Sequence, residues 1–195
     1  MLDRRHLLLG SIAALGAAPL ARAQEAMSSA SSAVPLVPPP DIVPISAGVA
    51  PGEIHVDPNS FSLYWTLPDG LAIRYRCGVG RPGLYEAGTY YVGARKEWPS
   101  WTPTPDMVER EPELYAQYAE EGMPGGPGNP LGARALYLFT EDRGDTYLRI
   151  HGTDQPSTIG AAVSNGCARL VNEQIIDLYD RVPMGTTIYL YPRNA

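Results

Sequence analysis

Phe61-Ser-Leu-Tyr-Trp65, Pro68-Asp69-Gly70 and Leu71-Ala-Ile-Arg-Tyr-Arg-Cys-Gly-Val79 form the stretch that decides the fold class. Its outer segments alternate apolar and polar residues or are β-branched and aromatic, the mark of extended chain with one buried face. Pro-Asp-Gly between them is a hairpin turn signal, because Pro pre-sets φ and Gly accepts positive φ. The pattern recurs outward. Glu53-Ile-His-Val56 precedes the hairpin, and Thr89-Tyr-Tyr-Val92, Ala135-Leu-Tyr-Leu-Phe139, Thr146-Tyr-Leu-Arg-Ile150 and Thr186-Thr-Ile-Tyr-Leu190 come after it. No regular helix separates these strands, which argues against a doubly wound parallel sheet. Gly and Pro number 20 each among 195 residues, a turn-rich composition that favours β structure over a helical bundle. The fold class read here is mainly β (β-rich α+β) with short helices.

Two helical segments interrupt the strands. Residues 106–121 are polar with Met107, Leu114, Tyr115 and Tyr118 apolar, and Pro112 predicts a kink or split. Asn172 is read as the N-cap of a helix carrying Ile175, Ile176, Leu178, Tyr179 and Val182, ended by Pro183. Its apolar face is expected to pack on the sheet. The long irregular stretch 98–132 reads as a flap over a site, with Trp98 or Trp101 offering apolar contact.

The N-terminal residues read as export machinery. Residues 1–23 combine Arg4 and Arg5, an apolar run from Leu7 to Leu20, and Ala21-Arg22-Ala23 as a cleavage site. The run is too short for a membrane span. Asp3-Arg4-Arg5-His6-Leu7-Leu8 fits the twin-arginine pattern, with an ordinary secretory leader as the alternative. No Cys succeeds the cleavage site, so no membrane anchor is expected afterwards. Residues 24–50 read as a Ser/Ala/Pro-rich linker and residues 51–192 as the folded domain. Removing the leader takes the net charge from −6 to about −8, because it carries Arg4, Arg5 and Arg22 against Asp3. That balance argues against a nucleic-acid partner and a polybasic membrane patch.

The chemistry lies in two short segments, His151-Gly152-Thr153 and Ser164-Asn165-Gly166-Cys167-Ala168-Arg169. A Cys flanked by small residues, with a His 16 positions upstream, suggests a nucleophile with its base, the His drawing the thiol pKa down. Gly166 permits close backbone approach, and the N–H groups of Asn165, Gly166 and Cys167 are candidates for an oxyanion hole. Arg169 either holds a substrate carboxylate or supports the thiolate, or else forms a structural ion pair with Glu173 or Asp177. Ser164 and Thr153 read as local hydrogen-bonding residues, and Thr153 with Gly152 as lining of the donor pocket. Cys77 reads as a small core residue, with a Cys77–Cys167 disulfide as the lesser alternative. His6 and His55 are isolated, so no metal site is expected.

Taken together, His-Gly-Thr, the spacing, Ser-x-Gly-Cys-x-Arg, the Gly/Pro run Met123–Arg134 and Val182–Thr187 resemble the L,D-transpeptidase catalytic domain family (YkuD/ErfK-like). The family often has His where this chain has Asn165. The resemblance implies a β-sandwich with short helices and a flap over the site. It implies an exported, periplasmic, cell-wall-associated cysteine acyltransferase forming 3→3 cross-links between diaminopimelate residues. Cys167 would be the nucleophile, His151 the proton donor and acceptor, and a backbone carbonyl the group orienting His151. No cofactor is implied. The partners implied are peptidoglycan stem peptides, with water or a lipoprotein lysine as alternative acceptors. An L,D-carboxypeptidase, a lipoprotein-tethering enzyme, a sortase-like enzyme and a non-catalytic wall-binding domain are the rival readings.

Overall fold

The computed structural model describes residues 37–194, so the leader reading and the first part of the linker reading lie outside the described residues. The strands are β1 (Asp41–Pro44), β2 (Ile54–Asp57), β3 (Ser62–Leu67), β4 (Leu71–Arg76), β5 (Val79–Gly80), β6 (Gly88–Glu97), β7 (Arg134–Thr140), β8 (Gly144–His151), β9 (Ala162–Ser164), β10 (Ala168–Arg169) and β11 (Thr187–Leu190). The α-helices are α1 (Pro105–Arg110), α2 (Pro112–Tyr115) and α3 (Asn172–Arg181). Nine strands form one mixed sheet in the order β1-β4-β3-β2-β11-β6-β7-β8-β10, and β5 pairs with β9 apart from it. The mainly β reading holds.

The opening stretch forms β3 and β4, antiparallel with Leu67 opposite Leu71. Asp69 and Gly70 both take positive φ at the turn (61° and 69°). Residues 24–50 do not serve wholly as linker. Asp41–Pro44 pairs with β4, Arg74 donates to both carboxylate oxygens of Asp41 (3.0 and 2.6 Å), and Val37 is buried. The domain therefore starts before residue 51: an extended Pro-containing segment suits an edge strand, where one row of N–H groups needs no partner.

One apolar core joins both ends of the sheet. Ile73 and Tyr75 of β4, Leu136 and Leu138 of β7, Ile150 of β8 and Ile188 of β11 belong to a single buried cluster. Helix α3 adds Ile175, Leu178 and Tyr179 to it, as its pattern predicts. Tyr75 also donates its hydroxyl to Asp177 Oδ2 (2.5 Å), tying β4 to α3. Asn172 does not cap this helix. Val171 occupies the cap position, and Asn172 turns its Oδ1 to the N–H groups of Ala133 (3.0 Å) and Thr153 (3.3 Å).

Candidate active site

Sheet register brings the two chemical segments together. Strand β10 runs parallel to β8, with Ala168 opposite Ile150 and Arg169 opposite His151. Leu170 N–H donates to His151 C=O (2.9 Å). Cys167 immediately precedes β10, and its thiol meets the backbone of Arg149 two residues before His151. The other side of β10 is closed by Gly78, whose N–H and C=O pair with those of Arg169 (2.9 and 2.8 Å).

The nucleophile loop depends on two glycines. Gly166 has φ +117°, and a Cβ there would lie 2.9 Å from the Leu84 carbonyl oxygen. A Cβ on Gly80 would lie 2.7 Å from Gly166 Cα, closer than packing allows. Ser164 Oγ donates to Cys167 C=O (2.7 Å), closing the loop locally. Thr153 Oγ1 accepts from Gln155 N–H (3.0 Å). Both residues thus make the local bonds expected of them.

His151 is buried, and its Nδ1 lies 2.6 Å from the Gly152 carbonyl. A carbonyl only accepts, so Nδ1 carries the proton and Nε2 presents a lone pair. The orienting group is therefore backbone, which no side-chain motif could reveal. Burial pushes the His151 pKa down to about 3, helped by the Arg169 charge and opposed by the Gly152 carbonyl. Burial also raises the Cys167 thiol pKa, against the Arg149 backbone hydrogen bond and the Arg149 and Arg169 charges. The expected depression of the thiol pKa is thus reversed in this structure, because the low dielectric disfavours both charges.

Arg169 is buried, and its Nε and Nη2 have no hydrogen-bond partner among the described residues. Burial lowers its pKa, while Cys167 and Asp154 act in the opposite direction. The ion pair with Glu173 or Asp177 does not form. Asp177 instead binds Arg181 (2.7 Å) and Tyr75. Arg149, absent from the sequence reading, is held by two bonds to Asp145 (2.6 and 2.9 Å) and lies 3.9 Å over the Tyr137 ring. Cys77 is fully buried and free, its thiol pushed up to about 12 by burial, and Cys167 is also free. The core reading of Cys77 holds. Among the described residues no group of three or more His, Cys, Asp or Glu is placed to hold a metal ion.

The flap segment reaches the nucleophile loop. Its helix splits at Glu111, where φ −141° and ψ 63° precede Pro112. Arg110 Nη2 donates to Asn165 Oδ1 (2.8 Å), and Asn165 Nδ2 donates to Tyr115 Oη (3.0 Å). Trp101 packs edge-on against Tyr115 and Tyr118, and Trp98 is exposed.

The chain is similar to several known proteins. Residues 51–190 match the L,D-transpeptidase catalytic domain family, YkuD. The probable L,D-transpeptidase ErfK/SrfK of Escherichia coli K12 is 35% identical over 140 residues, covering 70% of this chain and 43% of that protein. The chain thus spans less than half the length of that relative. A Brucella melitensis crystal structure described as a probable carnitine operon oxidoreductase is 49% identical, with TM-score 0.54, covering 76% of this chain and 90% of that one. An L,D-transpeptidase from Mycobacterium smegmatis shares the fold at 17% identity and TM-score 0.53, covering 71% of this chain and 58% of that one. The chain belongs to the L,D-transpeptidase catalytic domain family.

Proposed function

We propose that the protein is an exported peptidoglycan L,D-transpeptidase that forms 3→3 cross-links through a Cys167 thioester. One observation carries the reading: the β8–β10 register sets the Cys167 loop beside a His151 whose Nδ1–H is committed to Gly152, so that Nε2 is the basic atom. Substrate binding excludes water, and His151 Nε2 takes the thiol proton as Sγ attacks the carbonyl between diaminopimelate and the terminal D-Ala. The oxyanion forms near the N–H groups of Asn165, Gly166 and Cys167. Imidazolium then protonates the departing D-Ala amine, and a thioester remains. The side-chain amine of a neighbouring diaminopimelate gives up a proton to His151 and attacks the thioester. The amide cross-link forms and the thiol is restored.

The buried guanidinium of Arg169 bears on the thiolate side of this step. Its charge favours thiolate over thiol and disfavours imidazolium, so it lowers the cost of the attacking anion. Gly152 and Thr153 line the donor side. The leader 1–23 would deliver the domain to the periplasm, with residues beyond it reaching toward the wall. No helix among the described residues is long and apolar enough to cross a membrane.

The test is incubation of the protein, wild type beside Cys167→Ala, with purified disaccharide-tetrapeptide, and then mass spectrometry of the products. A cross-linked dimer lacking one D-Ala, absent from the variant, supports the reading. Tripeptide alone reassigns the acceptor to water. No Cys167-dependent product removes the reading.

A further inference from the structure

Asn165 is the departure from the family pattern, and its surroundings explain why an amide stands there. Its Oδ1 accepts from two guanidiniums, Arg81 Nη2 (3.0 Å) and Arg110 Nη2 (2.8 Å). Its Nδ2 donates to Tyr115 Oη (3.0 Å). Glu111 pairs with Arg81 and, at 3.4 Å, with Arg110, supplying a counter-charge between the two cations. A histidine here could accept at most one such bond when neutral and none when charged. Asn meets both demands, accepting on one atom and donating from the other.

The split helix makes this node possible. The residue before a proline is driven out of the α region, so Glu111 leaves the helical path ahead of Pro112. Arg110 and Tyr115, from both sides of the break, then reach Asn165 on the loop that carries Cys167, while Glu111 between them pairs with Arg81.

Apart from the edge-on packing of Trp101 on Tyr115 and Tyr118, the helices of the flap are held by polar contacts. No residue of α1 or α2 is buried, and Leu114 is 51% exposed, so apolar burial does not dock these helices. The base of the flap is closed by backbone bonds, Trp101 N–H to Met123 C=O (2.9 Å) and Met123 N–H to Trp101 C=O (2.6 Å). Between those bonds and Asn165, the segment 102–122 is tethered at its base and latched at its tip.

We infer that Asn165 is a positioning residue whose side chain, through Arg81, Arg110, Glu111 and Tyr115, latches the flap onto the nucleophile loop and sets access to Cys167. The inference rests on reading Cys167 as the nucleophile only for its consequence in catalysis; the latch itself is independent of it. Asn165 contributes its backbone N–H to the loop and its side chain to the flap. Side-chain substitutions therefore separate the two roles.

The test uses trypsin on the full chain, since the Arg110–Glu111 bond lies inside the latch. Cleavage of a locally opened segment tracks the population of its open form. Asn165→Ala should speed cleavage after Arg110 about tenfold, with cleavage after Arg74 and Arg181 unchanged. Asn165→Asp, which keeps the acceptor for both arginines, should return the rate to within about threefold of wild type. Alkylation of Cys167 by a bulky maleimide should accelerate in Asn165→Ala more than alkylation by iodoacetamide, because the flap excludes the larger reagent. An unchanged Arg110 rate, equal acceleration at all sites, or failure of the Asp variant to rescue would each overturn the latch. The same digestion in a Cys167→Ala background gives the same answer if the latch exists, whether or not Cys167 is catalytic.

Discussion

Lowering the pH should destabilise this protein through His151 in a calculable way. The folded pKa is pushed to about 3 by burial, while the unfolded chain has the ordinary value of about 6.5. Between those values the unfolded state binds a proton that the folded state refuses. The contribution of neutral His151 is therefore complete above pH 6.5 and is lost as pH falls toward 3. The linkage relation gives a loss of about 2 kcal/mol at pH 5 relative to pH 7.5. With a urea slope near 2 kcal/mol/M, that is roughly a 1 M shift in midpoint. His55 is also pushed down by burial and acts in the same direction, so a comparison with His151→Asn is required. Asn offers an N–H to the Gly152 carbonyl and does not titrate. Urea unfolding at pH 7.5 and 5.0 should show a midpoint loss about 1 M larger in wild type than in the variant. Equal losses in both would refute the claim that His151 is held neutral by its burial.

Other consequences can be checked with single variants. Iodoacetamide labelling of Cys167 should keep rising above pH 8.5, because burial raises its pKa; a plateau below pH 7 would mean a preformed ion pair. Cys77 should stay unlabelled in the folded protein. Asn172→Ala strips the shared acceptor from the N–H groups of Ala133 and Thr153 and should cost about 1–3 kcal/mol in denaturant unfolding, with acyl transfer falling as His151 loosens. Unchanged stability would show that water replaces the amide. Gly80→Ala forces a methyl group against Gly166 Cα and should cost about 1–3 kcal/mol, with slower Cys167 labelling. Full stability and full reactivity together would contradict the close approach.

Periodic elements of this fold are legible in the sequence, and elements made by tertiary contact are not. β3, β4, β7 and β8 alternate over six to eight residues and can be read in advance. β5 and β10 are two residues each, too short for any alternation; β5 exists because β9 pairs with it, and β10 because Gly78 and His151 offer their backbones to Arg169 and Leu170. β1 sits in Pro-rich sequence that resembles linker, and only its pairing with β4 makes it a strand. In the site, Cys167 and His151 are conspicuous as residue types. The Gly152 carbonyl that orients His151 is common to every residue, so nothing in the side-chain pattern marks it. Asn172 resembles a helix cap, because a short polar amide before an apolar helix is what a cap looks like. Its true partners, Ala133 and Thr153, lie 39 and 19 residues away. The lowered thiol pKa expected from a His partner fails because sequence proximity says nothing about dielectric, and burial outweighs the arginines.

β11 is the last strand in the chain, yet it lies in the middle of the sheet, parallel to β2 on one side and antiparallel to β6 on the other. Until residues 187–190 arrive, the strands on either side have no hydrogen-bonded seam between them. Without β11, the half of the sheet that carries Tyr75 and the half that carries Cys167 and His151 meet through the Gly78–Arg169 bridge, the β5–β9 pair, the Tyr75–Asp177 bond and the shared apolar core. Truncation at Pro183 would remove only the final 12 residues, yet it would divide the sheet at its centre rather than trim its edge. Residues 187–190 thus supply the seam at the centre of the sheet, and the half that carries Cys167 and His151 is buttressed through it.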